Sequence, residues 1–215
     1  MITIAVPTGN LLAASLGLLR AAGLGDLGVE DLGRRLVVHP TPELTLVTVR
    51  PLDVAAYVDH GSADLGIVGK DSLWETERVH YELLDLGFGG CRLVMAVPED
   101  SPIRDRPTWP PSLRVATKYM AASRRFFAAR AQEAELIKLY GSVELAPLTG
   151  LADAVVDLTA TGGTLRANRL REVVEVDRST ARLIANQVSL RTRGSELQGI
   201  VARVREAGQG AAVRI

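Results

Sequence analysis

The sequence predicts an α/β fold with largely parallel sheets, and three observations support this prediction. Apolar runs typical of buried strands alternate with amphipathic segments typical of helices along the chain. The 215 residues are 47% hydrophobic and 23% charged, a balance that allows a substantial core. Two segments, His60–Leu73 and Thr149–Leu165, share the order glycine, Ala-Asp, apolar strand and glycine turn. This internal repeat suggests two lobes of similar build, with a cleft between them as the natural ligand site.

The elements of the first half are predicted from short apolar runs for strands and from one-sided leucine spacing for helices. The predicted strands are Ile2–Pro7, Leu36–Pro40, Leu44–Val49, Ala63–Gly69 and Cys91–Pro98. The predicted helices are Leu11–Gly23 and Asp53–Gly61.

In the second half, the proline-rich segment Ser101–Pro111 predicts a loop. The predicted strands are Arg114–Thr117, Val143–Pro147, Ala154–Leu158 and Glu172–Asp177. The predicted helices are Ala121–Ala134 and Ser195–Gly208.

Charge and cysteine content exclude several classes of protein. The formal net charge is zero, so no basic field indicates a nucleic-acid partner. Cys91 is the only cysteine, which rules out an internal disulfide and fits a reducing compartment. The apolar N-terminus lacks the basic start of a signal peptide, and no stretch reaches membrane-spanning length. We therefore expect a cytoplasmic protein without a membrane partner.

The segment Val155–Leu165, VVDLTATGGTL, suits a phosphorylated sugar. Its three threonines supply hydroxyls, its two glycines let a ligand approach the backbone, and a helix starting here would present unpaired N–H groups to a phosphate. A carboxylate repels phosphate, so Asp157 suits an adjacent group such as sugar hydroxyls or a bound Mg²⁺. An ordinary strand–turn–helix connection is the alternative interpretation of the segment.

The longer run Glu144–Asn168 closely resembles the signature of the ATP phosphoribosyltransferase family, whose members catalyse the first step of histidine biosynthesis. Tyr57–Leu73, Arg114–Tyr119 and Leu136–Pro147 also resemble segments of that family, in order along nearly the whole chain. The length resembles the short form, which lacks a C-terminal regulatory domain. That form works with a regulatory subunit that resembles histidyl-tRNA synthetase.

The resemblance implies a two-lobed fold like that of type II periplasmic binding proteins. We assign residues 1–90 and 181–215 to lobe I, and residues 91–180 to lobe II, which carries the phosphoribosyl pyrophosphate loop. The implied reaction joins N1 of ATP to C1 of phosphoribosyl pyrophosphate, gives N1-(5-phosphoribosyl)-ATP and pyrophosphate, and uses Mg²⁺. The implied partners are the regulatory subunit, in a hetero-oligomer, and a second copy of the chain.

The resemblance also implies the site residues. Phosphoribosyl pyrophosphate is expected on Asp153, Asp157, Thr159, Ala160, Thr161, Gly162, Gly163 and Thr164, with the 5-phosphate on Thr159 to Thr164. ATP is expected on Gly9, Asn10, Leu11 and Lys70, and the catalytic cations are expected to be Arg50, Lys118 and Arg34. Cations at strand ends, where α/β proteins place ligands, can stabilise the leaving pyrophosphate. A solvated surface charge is the alternative for each, and Arg35 is a second choice beside Arg34. The sequence predicts no particular metal ligands.

The N-terminal turn Pro7–Asn10 departs from the family pattern. The family usually has a basic residue on each side of that glycine, whereas Thr8 and Asn10 stand there in this chain. A second departure is Arg169, where the family commonly has glycine after Asn168. The contacts to ATP are therefore the least determined part of the site.

Three alternatives remain at this point. A type I phosphoribosyltransferase uses a similar Thr-Gly-Gly-Thr turn, but usually with paired acids before it, whereas Leu158 follows Asp157 here. A non-catalytic, two-lobed small-molecule binding protein would leave the phosphate turn without a purpose. An interaction subunit with a decayed site would account for the unusual N-terminal turn.

Overall fold

The computed structural model describes residues 1–76, 78–103 and 108–211, with side chains as far as residue 208. The chain divides into two compact units: unit 1 is Met1–Gly89 with Thr180–Ile215, and unit 2 is Gly90–Ser179. Residues 104–107 of the predicted loop, and residues 212–215 of the segment assigned to lobe I, lie outside the described residues.

The first part of unit 1 alternates strands with helices. Its strands are β1 (Ile2–Pro7), β2 (Val37–Thr41), β3 (Leu44–Val49), β4 (Leu65–Gly69) and β5 (Tyr81–Asp85). Its α-helices are α1 (Leu12–Ala21), α2 (Val29–Leu32), α3 (Val54–Asp59) and α4 (Lys70–Trp74), with 3-10 turns at Gly9–Leu11 and Pro51–Asp53. β1 is a continuous apolar run because both of its faces are covered, and Ile4, Ala5 and Val6 have no exposed surface.

Unit 2 has five strands in its described residues, followed by the return of the chain to unit 1. The strands are β6 (Cys91–Pro98), β7 (Arg114–Thr117), β8 (Glu135–Lys138), β9 (Ala154–Thr159) and β10 (Leu170–Ser179). The helices are α5 (Met120–Ala129), α6 (Leu145–Leu148) and α7 (Gly163–Ala167). The chain then forms β11 (Ala181–Ala185), α8 (Gln187–Thr192) and α9 (Gly194–Ala211) in unit 1.

Each unit has its own apolar core. In unit 1, α1 and α9 pack on the sheet through Leu16, Leu19 and Leu197. In unit 2, α7 contributes Leu165 to a cluster with Val94 and Val155 of the sheet. Full burial of each such side chain contributes about 1.5–3 kcal/mol, so these contacts fix the helices on the sheets.

The five-stranded sheet of unit 2 has the same strand order as five of the six strands of unit 1, and β2 has no counterpart among the described strands of unit 2. The orders are β2-β3-β1-β4-β11-β5 in unit 1 and β10-β6-β9-β7-β8 in unit 2. In unit 1, β1 lies between its parallel neighbours β3 and β4. In unit 2, β7 lies in the same way between β8 and β9. An antiparallel strand, β11 or β6, follows beside β4 or β9. The strands of the internal repeat, β4 and β9, therefore occupy equivalent positions.

Two expectations about the elements are wrong. Both sheets are mixed rather than mainly parallel, because β2 pairs antiparallel with β3, and β6 and β11 pair antiparallel with both of their neighbours. Parallel pairing needs a crossover connection, and only the strands joined by helices within one unit, β1 with β3 and β4 and β7 with β8 and β9, are parallel. The predicted strand Val143–Pro147 instead leads into helix α6, whose first turn accepts Pro147 because no N–H is needed there. The short strands β5 and β8 were not predicted, because they are largely exposed or half-buried and carry little apolar pattern. Among the described residues, no helix is both long and apolar enough to cross a membrane.

Candidate active site

The parallel strands of unit 2 change direction of succession at β7, and their carboxyl ends lie at one edge of the sheet. The chain passes from β7 to β8 on one side and then returns to form β9 on the other side of β7. Ligands of α/β sheets bind where the strand order reverses in this way. Thr117 of β7 pairs with Val156 of β9, so the next residues along the two strands are Lys118 and Asp157. The structure thus brings together two residues that the sequence predicted for the site.

The turn after β9 is shaped by an internal hydrogen bond. The N–H of Gly162 donates to Oγ1 of Thr159 at 2.7 Å, and Thr159 is only 8% exposed. Gly162 has φ +73°, a left-handed conformation that favours glycine, and it leads directly into α7. Thr159 was expected to offer its hydroxyl to the phosphate; in the structure the oxygen of this buried hydroxyl accepts from the turn itself.

The other residues of the turn face solvent. Ala160, Thr161, Gly163 and Thr164 are all exposed. The first N–H groups of a helix lack partners within it, so the start of α7 offers backbone donors beside the hydroxyls of Thr161 and Thr164. This arrangement can bind a phosphate group.

Asp157 is a half-buried carboxyl in a charged environment. Burial raises its pKa, the charge of Glu144 raises it further, and the N–H of Leu158 and the ammonium of Lys118 lower it. The net effect is a pKa above the ordinary value, so the folded protein disfavours the charged carboxylate until a cation or a donor binds there. Glu144 was not predicted as a site residue, although it begins the stretch that resembles the family signature.

Thr117 is a second residue that the sequence analysis missed. Its buried Oγ1 donates to the carbonyl of Val156 at 2.7 Å and accepts from the N–H of Tyr119 at 2.9 Å. These two bonds fix the backbone on both sides of Lys118 relative to β9. The sequence signal that could have identified Thr117 is a threonine at the end of an apolar strand, directly before a lysine that was predicted for the site.

Asp153 lies at the opposite end of β9 from the turn. Its carboxylate accepts from the N–H of Arg114 at 2.9 Å and from Nε and Nη2 of the same residue at 3.2 and 2.8 Å. The hydrogen bonds from Arg114 hold the pKa of Asp153 below its ordinary value. The structure therefore does not bring Asp153 together with Asp157, because they stand four residues apart along an extended strand.

Asp64 is the counterpart of Asp153 in unit 1. It accepts from the N–H of Thr3 at 2.8 Å, from Oγ of Ser189 at 2.7 Å and from Nη1 of Arg193 at 3.1 Å. Each aspartate thus binds the start of the neighbouring parallel strand and holds an arginine. This shared arrangement explains the Ala-Asp pair of the internal repeat as a structural feature.

The predicted ATP residues of unit 1 lie mostly at the carboxyl edge of its sheet. The N–H of Thr8 donates to the carbonyl of Val49 at 2.8 Å, which places the turn after β1 beside the end of β3. Gly9 and Asn10 are exposed, and Gly9 has φ +80°. Leu11 is half-buried and packs against the core of unit 1, so its side chain is mainly structural.

The predicted cations of unit 1 differ in their surroundings. Arg50 is exposed directly after β3. Arg34 is also exposed. It lies near the same edge of the sheet, since the carbonyl of Leu36, two residues later, accepts from the N–H of Thr48 at 2.8 Å. Lys70 starts α4 after β4, and its ammonium donates to Glu82. Its charge is therefore already paired, which the sequence did not indicate.

The search for metal ligands among the described residues gives no group of three or more His, Cys, Asp or Glu side chains placed to hold an ion. Asp157 and Glu144 are two carboxylates that interact at the carboxyl edge of unit 2. Mg²⁺ is commonly held by one or two carboxylates together with substrate phosphates. This donor set fits an ion that arrives with a phosphorylated substrate.

Comparison with known proteins decides between the alternatives. The family model described as ATP phosphoribosyltransferase matches residues 50–206. The chain belongs to the ATP phosphoribosyltransferase family. It is 47% identical over 208 residues to the ATP phosphoribosyltransferase of Rubrobacter xylanophilus, covering 96% of each chain. It is 46% identical over 216 residues to that of Bordetella avium, covering 98% of this chain and 95% of the relative.

Solved structures agree with this assignment. The ATP phosphoribosyl transferase (HisG:HisZ) complex from Thermotoga maritima contains a chain with TM-score 0.82 and 29% identity, covering 98% of this chain and all of that one. The periplasmic aliphatic sulphonate binding protein SsuA from Escherichia coli has TM-score 0.60 at 18% identity, over 96% of this chain and 72% of that chain. The second likeness shows the fold alone. The expectations of an ATP phosphoribosyltransferase of histidine biosynthesis and of a two-lobed fold like the periplasmic binding proteins are confirmed.

Proposed function

We propose that unit 2 binds phosphoribosyl pyrophosphate at the carboxyl ends of β7 and β9. The observation that carries the proposal is the convergence of Lys118, Asp157 and the exposed Thr/Gly turn at the reversal of strand order. The 5-phosphate accepts from the backbone N–H groups of Gly163 and Thr164 and from the hydroxyls of Thr161 and Thr164. Asp157 accepts from the ribose hydroxyls. Asp153 and Thr159 shape this site without contacting the sugar.

Unit 1 binds ATP at its own carboxyl edge. The exposed turn Gly9–Asn10 approaches the nucleotide with its backbone, and Arg34 and Arg50 contact substrate phosphates. Lys70 takes part only if it leaves Glu82. Since Thr8 and Asn10 carry no charge, the two arginines supply the cations that the family usually places in the N-terminal turn.

The reaction needs positioning and charge stabilisation rather than an activated nucleophile. Adenine N1 already carries a lone pair, so no general base is required to activate it. Breaking the bond from C1 to pyrophosphate places positive charge on the ribose and negative charge on the leaving group. Lys118 and the arginines stabilise the negative charge, and alignment of the two substrates can supply about 7–11 kcal/mol of the barrier.

Mg²⁺ is the cofactor that we propose for this reaction. Asp157 and Glu144 would hold it together with oxygens of phosphoribosyl pyrophosphate, and the ion would supply charge neutralisation at the pyrophosphate. The donor set supports the proposal because a bound cation would favour the charged form of the Asp157 carboxyl, whose pKa is raised first by burial and also by the charge of Glu144.

The chain acts with a regulatory subunit in a hetero-oligomer and pairs with a second copy of itself. The similarity to a chain of the Thermotoga maritima HisG:HisZ complex supports the first interaction. We expect that partner to resemble histidyl-tRNA synthetase and the protein to act in the cytoplasm, a reducing compartment that fits a chain with a single cysteine.

Equilibrium binding of each substrate to single variants tests the division of the site. Asp157→Ala and Thr161→Ala are expected to weaken phosphoribosyl pyrophosphate binding about tenfold or more, because a hydrogen bond to a charged group contributes about 1.5–3 kcal/mol. ATP binding should change by less than about twofold. The control is Thr149→Ala, an exposed threonine whose hydroxyl donates to the carbonyl of Leu145 before β9 begins.

Equal loss of both substrates in folded variants would contradict this division. Release of pyrophosphate from the two substrates, with and without the regulatory subunit, tests the activity itself. Binding without turnover under both conditions would favour a non-catalytic subunit instead.

A further inference from the structure

An ion pair between Arg92 and Glu172 lies beside the phosphate turn. Nη1 of Arg92 donates to Oε2 of Glu172 at 2.8 Å, and Nη2 donates to Oε1 at 3.1 Å. Such a bidentate pair fixes the orientation of both side chains. Arg92 is on β6, where it pairs with Thr159, the residue that starts the turn. Glu172 is on β10, which pairs with the other side of β6.

The pair reaches the turn at Gly162. A Cβ atom added to Gly162 would lie 3.1 Å from Oε1 of Glu172 and 2.8 Å from Nη1 of Arg166. The carboxylate of Glu172 therefore packs against the residue whose left-handed backbone directs the chain into α7. A change in the position of this carboxylate would move the N–H groups that follow Gly162.

The position of Glu172 is also an electrostatic problem for phosphate binding. An unpaired carboxylate at this distance from the turn would repel a phosphorylated ligand. The guanidinium of Arg92 neutralises this charge. The pKa of Arg92 is raised, first by its hydrogen bonds to Glu172 and then by the charge of the Glu172 carboxylate. Glu175 also lies 3.7 Å from Arg92, but its own charge is held mainly by Arg178 at 2.6 Å.

We propose that Arg92 is a positioning residue for phosphoribosyl pyrophosphate: its guanidinium orients and neutralises Glu172, so that the turn at Gly162 keeps its shape and does not repel the 5-phosphate. This inference rests on the proposed function of the turn. It assigns Arg92 no contact with the substrate. It predicts that the harm done by removing Arg92 comes chiefly from the carboxylate that is left behind.

The test is a rescue experiment with Mg²⁺ and phosphoribosyl pyrophosphate on the full chain. Arg92→Ala is expected to raise the Kd and the KM for this substrate about tenfold, with a smaller change in kcat, because the Glu172 carboxylate loses its bidentate partner and is left near a charged ligand. Glu172→Gln alone is expected to change the Kd less than about threefold. The double variant R92A/E172Q should return to within about threefold of the unmodified chain, because the repelling charge is gone.

A merely structural role predicts the opposite order, because loss of both partners would loosen the turn at least as much as loss of one. A double variant that binds no better than Arg92→Ala would therefore overturn the inference. If Arg92→Ala does not fold, Arg92→Lys serves, since it keeps the charge but loses the bidentate geometry and should cost less than about threefold in Kd. A tenfold loss with Arg92→Lys would equally contradict the proposal.

The matched control is a neighbouring ion pair between β10 and the residue that follows β6. Nε of Arg171 contacts Oε1 of Glu99 at 3.1 Å, and both side chains are exposed. Glu99→Gln removes the same charge as Glu172→Gln and should leave binding unchanged. If the unmodified chain does not bind phosphoribosyl pyrophosphate, or if Thr161→Ala has no effect, the proposed function fails. If those two results hold but Arg92→Ala binds normally, only this inference fails.

Discussion

Replacement of Asp153 by alanine is expected to reduce stability while leaving the affinity for phosphoribosyl pyrophosphate nearly unchanged. The substitution removes three hydrogen bonds from Arg114 that join β9 to β7. A hydrogen bond that involves a charged group contributes about 1.5–3 kcal/mol when it is shielded from water. The side chains of Asp153 and Arg114 are 32% and 39% exposed, so solvent screening reduces this value.

The expected loss in the free energy of unfolding is therefore about 1–3 kcal/mol in total. For a protein of this size, this corresponds to a fall in Tm of about 2–12 °C. The Kd for phosphoribosyl pyrophosphate, measured by titration well below the Tm, should change by less than about twofold, because the carboxylate is remote from the turn.

Asp64→Ala provides the comparison in unit 1. The Asp64 carboxylate is more buried, at 12% exposure, and it accepts from a backbone N–H, a hydroxyl and an arginine. The loss should be larger, about 2–4 kcal/mol, because the N–H of Thr3 and the hydroxyl of Ser189 lose a buried acceptor. Arg193 keeps its ion pair with Glu196, which limits the loss. A Tm unchanged in Asp153→Ala, together with a tenfold loss of phosphoribosyl pyrophosphate affinity, would refute the structural role of Asp153.

Two further predictions concern residues near the turn. Asp157→Asn should raise the Tm at neutral pH and weaken phosphoribosyl pyrophosphate binding about tenfold or more. Burial raises the pKa of Asp157 in the folded protein, so the stabilising effect of the protonated form is lost as pH rises through that pKa. The Tm advantage of the variant should thus be absent near pH 3 and grow toward neutral pH in thermal scans; an advantage that is constant with pH would contradict this cause. Arg169 has φ +53°, at a position where the family commonly has glycine. Arg169→Gly should therefore raise the free energy of unfolding, measured in urea, by about 0.5–1 kcal/mol. A lower unfolding midpoint in urea would show that the strain is absent.

Much of the fold could be predicted because the local pattern agrees with the tertiary environment. β1 and β6 are continuous apolar runs that are buried in the sheets. The prediction failed where pattern and burial diverge. β5 is largely exposed at a sheet edge, and α6 begins inside a short apolar run that a strand would also accept. The antiparallel strands were not predictable from local pattern, because their direction depends on where the chain crosses between the units.

The site was predicted at the level of the turn, but not for every side chain in it. Residue types indicated that threonines would offer hydroxyls, yet the fold uses Thr159 internally and exposes Thr161. In the same way, Lys70 is paired with Glu82, which is distant from it in sequence. A side chain's availability depends on its tertiary neighbours, and composition and spacing carry no information about them.

The internal repeat separates the two aspartates of β9 by function. Asp153 has a counterpart, Asp64, which makes the same backbone bond in the same strand position. Asp157 has none, because the equivalent residue of β4 is Val68, which is fully buried. Because both units have this aspartate, we assign it to the task that both units share, which is to join neighbouring parallel strands. A charge that only one unit has is costly to bury and requires a reason specific to that unit. Asp157 is therefore the acid of this strand that binding studies should associate with the sugar.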